Sequence, residues 1–310
     1  MDFVDAHMHL IDPERLPYPW LSPPFDPEGP NGDTSAIAKP YTLQSYGQDI
    51  SRCKVRGLVH VEAGVGLDDG SVELAHIHQI LTEALSSRQA AGSIGLEGAA
   101  IVAYASLHTP DLAARLDVLS RFPLLRGVRH IVNFHPSRQR AYPGPDRTLD
   151  PVWREGLAML AARDLSFDLQ CFPEQMPGLA ALFRHHDSLR VVIDHLGMPL
   201  LDEPGGYHVW DAGMTAMAAC PNVQVKLSGF GFLRRDWDYG DVAPVISRVI
   251  DLFGIERCMV ASDFPTDLLF APAQKTLDCI ARFSTTLSFD ERAALLGGNA
   301  ARFYRLGFTF

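Results

Sequence analysis

An alternation repeated along nearly the whole chain limits its fold more than any other feature. Short β-branched or apolar runs are each followed by a longer segment of helical period. Strand candidates lie at 3–10, 55–62, 99–107, 125–133, 166–170, 189–195, 223–228 and 258–263. Helical segments at 72–88, 111–121, 150–163, 178–186, 209–219, 242–253 and 272–283 follow the last seven. After the first run comes a long loop and a short helix instead. Such alternation demands parallel strands with helical crossovers, and eight units within 310 residues suit an α/β fold of the (β/α)8 TIM-barrel type. A doubly wound open sheet is the alternative, but no glycine-rich fingerprint follows the first strand, where a dinucleotide site needs one. With no internal repeat, low-complexity tract or shift in composition, residues 1–310 read as one domain.

The loop after the first strand carries Pro13, Pro17, Pro19, Pro23, Pro24, Pro27, Pro30 and Pro40. That density excludes regular helix and central strand, so the segment reads as a rim or lid over one end of the barrel. Within it, Trp20 of Tyr18-Pro19-Trp20-Leu21 either walls a pocket or anchors the loop.

In such a barrel, chemistry gathers at the C-terminal strand ends. His7 and His9, at i and i+2 of a strand, share a face and aim two imidazoles into one volume. A terminal histidine pair is often merely solvated, so it needs partners. His195 closes Val191-Val192-Ile193-Asp194-His195, and Asp263 closes Val260-Ala261-Ser262-Asp263 on the eighth strand, beside the first in a closed ring. Taken singly, His195 reads as a hydrogen-bonded core histidine, and Asp263 equally as a turn cap or as a site carboxylate. Together, three imidazoles and a carboxylate can hold one divalent ion such as zinc, and Asp263 can alternatively take the proton of an attacking water. Glu62, Arg129, Asp168, Gln170 and Lys226 also stand at strand ends. Arg129 and Lys226 either contact a substrate carboxylate or carbonyl, or pair with Glu62 or Asp168. His76 and His78 have the same spacing on a helix, where i and i+2 diverge by about 200°, and read as surface histidines. His135 reads as a solvated loop histidine.

The formal charge of −10, with no lysine or arginine cluster, argues against nucleic acid as a partner. No apolar run of about 18 residues and no leader pattern occurs, so neither membrane nor export is expected. Five cysteines at irregular spacing, without Cys-x-x-Cys, indicate neither a disulfide framework nor a thiolate zinc site, and fit the cytoplasm. The expected partner is a small-molecule substrate; homo-oligomerisation is left open.

Several segments resemble the amidohydrolase superfamily, specifically family 2, the group with sugar lactonases such as L-fuconolactonase and L-rhamnonolactonase and with 2-pyrone-4,6-dicarboxylate lactonase. They are Val4-Asp5-Ala6-His7-Met8-His9, Pro17-Tyr18-Pro19-Trp20-Leu21, Arg126-Gly127-Val128-Arg129-His130 and Ile193-Asp194-His195-Leu196-Gly197-Met198-Pro199. Further on come Val225-Lys226-Leu227-Ser228-Gly229, Ala261-Ser262-Asp263-Phe264-Pro265 and Gly298-Asn299-Ala300-Ala301-Arg302-Phe303-Tyr304. The resemblance implies a hydrolase opening a small polar lactone, either of a sugar acid or of a dicarboxylate. In it Asp263 activates water, and His7, His9 and His195 bind a metal or polarise the carbonyl. Arg129, with Gln170, Lys226, Glu62 and Trp20, would meet the substrate. No lysine ends the fourth strand, and Gln170 stands where many relatives place histidine, so a binuclear centre is not expected; one zinc and no metal both stay open. A metal-dependent decarboxylase and a non-catalytic sugar-acid-binding barrel are the alternatives.

Overall fold

In the computed structural model, which describes residues 1–87, 94–141 and 144–310, the alternation becomes a ring of eight parallel strands. These are β1 (Asp2–Met8), β2 (Lys54–Val61), β3 (Gly98–Tyr104), β4 (Leu125–Arg129), β5 (Ser166–Leu169), β6 (Val191–Ile193), β7 (Val223–Leu227) and β8 (Cys258–Val260). Each pairs with its sequence neighbour. The ring closes where the Asp263 N–H donates to His7 O and the His9 N–H to Phe264 O, both at 2.8 Å.

Around it run α1 (Leu43–Asp49), α2 (Ser71–Ser86), α3 (Leu112–Leu119), α4 (Pro151–Ala161), α5 (Met176–Phe183) and α6 (Gly206–Ala218). A short turn, α7 (Phe230–Leu233), precedes α8 (Tyr239–Phe253) and α9 (Ala273–Ser284). Local chemistry explains their starts: Asp150 accepts from Val152 N just before Pro151, and Asp238 accepts from Gly240 N and Asp241 N. On α8 the buried residues Val242, Val245, Ile246, Val249 and Phe253 form one helical stripe facing the strands. The expected last residue of the second helical segment, Arg88, lies outside the described residues.

Every strand stops short of its expected end, by three or four residues where the runs 99–107, 125–133 and 258–263 become β3, β4 and β8. The residues beyond leave the hydrogen-bond ladder to build the barrel mouth. His195 and Leu196, at φ 54° and 56°, and Asp263, at φ 58°, take left-handed backbone that L side chains seldom adopt.

The barrel interior is filled by Val4, Ala6, Val59, Val61, Ala100, Val102, Val192, Met259 and Ala261, and is plugged from the N-terminal strand ends by the chain's tail. That tail forms α10 (Phe289–Ala293), a π turn (Ala294–Gly298) and α11 (Asn299–Phe303), none of which periodicity marks. Asn299 Nδ2 donates to Ile255 O at 2.8 Å and Cys258 O at 2.7 Å, fixing the plug beneath β8. Gly98 is required here, because a Cβ on it would sit 2.3 Å from Leu306 O.

The proline-rich loop is anchored. Leu16, Tyr18 and Leu21 are buried, Trp20 Nε1 donates to Ala63 O at 2.8 Å, and Thr34 Oγ1 donates to Trp20 O at 2.6 Å. No helix among the described residues is long and apolar enough to cross a membrane.

Candidate active site

One irregularity aims the first two histidines. Asp5 stands opposite Leu58 and Met8 opposite His60, so β1 fits three steps against two on β2. The extra residue is a bulge that resets the alternation. Val4 and Ala6 point into the barrel, Met8 packs in the outer layer, and His7 and His9 therefore face inward. Asp5, turned outward, takes Tyr46 Oη at 2.8 Å, His7 N at 3.2 Å and Ser262 N at 2.9 Å, locking β1 to the β8 end.

The three imidazoles meet: the His7 ring centroid lies 4.9 Å from that of His9 and 4.7 Å from that of His195. His9 Nδ1 donates to Val61 O at 2.8 Å, which leaves the Nε2 lone pair facing Asp263 Oδ1 at 3.3 Å. His7 Nε2 is 3.6 Å from the same oxygen. His195 Nδ1 is 3.1 Å from Ser228 Oγ, and its ring packs on Gly229, where a Cβ would lie 2.6 Å from His195 Cβ. Asp263 Oδ2 is buried without a hydrogen-bond partner.

Behind this layer lies a dry ionic network. Lys226 Nζ reaches Asp168 Oδ2 at 2.6 Å, Asp194 Oδ1 at 3.0 Å and His7 Nδ1 at 3.2 Å. Tyr304, from the tail, donates to Asp168 Oδ2 at 2.7 Å. Arg129 Nε donates to Glu62 Oε1 at 2.7 Å, and its other nitrogens reach Glu62 O, Gln170 Oε1 at 3.3 Å and His7 Nε2 at 3.4 Å.

Burial and neighbouring charge set the protonation states. Burial, assisted by Arg129 and His60, lowers His9 to about 3; burial and Lys226 hold His7 well below its ordinary value, and burial lowers His195. All three are neutral imidazoles at pH 7. Burial raises Asp263 to about 6, against the pull of His195 and Arg129. Burial acts to raise Asp194 as well, yet Lys226 and His7 hold it well below the usual carboxylate range.

A cavity of about 630 Å³ opens over these groups, lined among others by Trp20, Glu62, Arg129, Gln170, His9, His195 and Asp263. The sequence-expected residues are thus brought together, with two exceptions. His7 lies just beneath the lining, and Lys226 does not reach the cavity, being fully buried against Asp168 and Asp194. Its expected substrate contact gives way to the ion pair, since an ammonium sunk that deeply is held by carboxylates. Glu62 and Arg129 likewise pair, but at the cavity wall. His76 and His78 meet different partners and are half-buried at the surface: His76 lies 3.1 Å from Asp12, and His78 packs on Phe122. His135 is also packed, against Phe172 and 3.4 Å from Glu203.

The sequence reading gives no role to Asp194, Asp5 or Tyr304. Asp194 carried a signal, a charge closing an apolar strand; Tyr304 carried none beyond its place in the tail. Replacing Tyr304 with Phe keeps the ring beside Lys226 and removes the hydrogen bond to Asp168, so a loss of about 1–3 kcal/mol in urea unfolding is expected.

The donors suit a single divalent cation. His7, His9 and Asp263 each offer an atom within 4.8 Å of the others. The 3.3 and 3.6 Å separations from Asp263 Oδ1 approach the edge of a tetrahedron with bonds of about 2.0–2.1 Å, roughly 3.3–3.4 Å. In formal charge, among the described residues, the four buried carboxylates of Glu62, Asp168, Asp194 and Asp263 stand against the two buried cations Arg129 and Lys226.

Comparison with known proteins agrees with this architecture. The amidohydrolase family profile matches residues 4–306. An uncharacterised protein of Sinorhizobium fredii is 32% identical over 304 residues, covering 98% of each chain. An L-fucono-1,5-lactonase of Burkholderia multivorans is 28% identical across 98% of this chain and 96% of its own length. Among solved structures, an amidohydrolase from Burkholderia multivorans with bound zinc aligns with a TM-score of 0.76 at 27% identity, covering 99% of this chain and 100% of that one. With the barrel, the strand-end histidines and a match over nearly its entire length, the chain belongs to the amidohydrolase family.

Proposed function

We propose that the protein is a lactonase acting on a small, uncharged, polyhydroxylated lactone of the sugar-acid type. The observation that carries this reading is Asp263: a buried carboxylate with one unpartnered oxygen, at a cavity wall among three neutral imidazoles and a guanidinium. The similarity to L-fucono-1,5-lactonase supports it. So does the charge of the lining, where Glu62, Asp68, Asp69, Glu73 and Asp263 outnumber the single guanidinium of Arg129. That field suits hydroxyl donors and repels a dicarboxylate. Trp20, Tyr104 and Phe232 add flat apolar surface for the C–H face of a sugar ring.

In the reaction, Asp263 accepts a proton from water as its oxygen bonds to the ring carbonyl carbon. Arg129, at the cavity wall, faces the oxygen on which negative charge builds. The ring C–O bond then breaks, the proton passes from Asp263 to the departing alkoxide, and a hydroxy acid is released. A divalent ion held by His7, His9 and Asp263 would supply Lewis-acid polarisation when bound.

A panel of neutral aldonolactones and a pyrone dicarboxylate lactone, followed by acid release in a pH-indicator assay, tests the reading. Turnover of at least one neutral lactone with kcat/KM on the order of 10⁴ M⁻¹ s⁻¹ or more is expected. Turnover of the dicarboxylate alone would overturn it.

A further inference from the structure

Both ring nitrogens of His7 have a cationic donor beside them: Lys226 Nζ at 3.2 Å from Nδ1, and Arg129 Nη1 at 3.4 Å from Nε2. A neutral imidazole has one N–H and one lone pair. Asp194 Oδ1, 3.3 Å from Nδ1, can only accept, so the proton belongs on Nδ1 and Lys226 is held by the two carboxylates it touches. The lone pair on Nε2 then points at the guanidinium. It is the same lone pair that a cation between His7, His9 and Asp263 requires.

Arg129 is poorly placed to step aside. Glu62 grips it through side chain and carbonyl, Gln170 accepts from it, and Asp194 Oδ2 lies 3.9 Å away. Nor can a guanidinium shed its charge by losing a proton. It therefore opposes a metal ion in two ways, by occupying a ligand's lone pair and by repelling a second positive charge at a largely buried position.

We propose that Arg129 is the resident cation of this site, its guanidinium holding the Nε2 lone pair of His7 and thereby keeping the affinity for zinc low. The protein consequently stands between metal-free and metal-loaded states, with zinc entering only at the expense of the Arg129–His7 contact. This inference does not depend on the identity of the substrate.

The test measures zinc affinity by competition with a chromophoric chelator, with no substrate present. Arg129→Met is expected to bind zinc about tenfold or more tightly than the unmodified chain. Because that change leaves Glu62 unpaired and raises the local negative charge, the deciding variant is Arg129→Met with Glu62→Gln. The pair of changes restores the formal charge of the unmodified site and removes both members of the buried ion pair, a replacement that folded proteins tolerate well. The double variant should still bind zinc several-fold more tightly, and the gain should vanish when His9→Ala is added. A double variant that binds zinc no more tightly than the unmodified protein overturns the proposal, as does a gain that survives His9→Ala.

Discussion

Replacing Asp263 with Asn is expected to lower kcat/KM for any lactone the proposed assay identifies roughly 10²- to 10⁴-fold while leaving the barrel folded. The side chain keeps its size, and its new N–H can donate to His9 Nε2, which Asp263 Oδ1 faces at 3.3 Å. What disappears is the carboxylate that the proposed reaction uses to accept the proton of water. Steady-state kinetics with circular dichroism and zinc analysis in parallel check this, and near-normal turnover would remove Asp263 from its role. In the proposed reaction the same carboxyl sets the acid limb of the rate profile. Burial raises it to about 6, so the competent ionised form is present above that pH and kcat/KM falls as pH drops through it. A limb well below that value would mean that a bound cation holds the carboxylate ionised.

Replacing Lys226 with Met is expected to cost about 3–5 kcal/mol of stability, the price of stranding buried carboxylates. Asp168 and Asp194 lose contacts of 2.6 and 3.0 Å, leaving Tyr304 beside Asp168 and the neutral His7 imidazole and more distant Arg129 beside Asp194. With the ammonium gone, burial pushes both carboxyls upward in the folded state, which then binds more protons than the unfolded chain. Stability of the variant should therefore fall as pH rises, and urea midpoints should differ more between variant and unmodified protein at pH 8 than at pH 5. Adding Asp168→Asn should return part of the loss. A variant as stable as the unmodified protein at both pH values would show that the network contributes little.

The barrel was legible because each strand, buried on both faces, reads as a nearly unbroken apolar run between segments of helical period. The grouping of His9, His195 and Asp263 was legible from strand ends alone. The inward aim of His7 and His9 was not. Strict alternation from Val4 and Ala6 would have turned both histidines outward, and the bulge that corrects this has no local signature. Lys226 was misplaced for a related reason: a polar residue near a strand end can line the mouth or sit one layer lower, and depth along a strand is set by its neighbours. Tyr304 escaped because its partner, Asp168, lies 136 positions away and no short pattern links them.

That separation has a consequence for how the protein is made. His7 and His9 leave the ribosome well before Asp263 and Phe264, through which the ring closes, and before Tyr304, which completes the network beneath it. At about 5–20 residues per second, the interval is on the order of tens of seconds. Through that time the histidines have no carboxylate from the eighth strand to work with. A chain cut short before β8 would carry His7, His9 and His195 without the carboxylate they face.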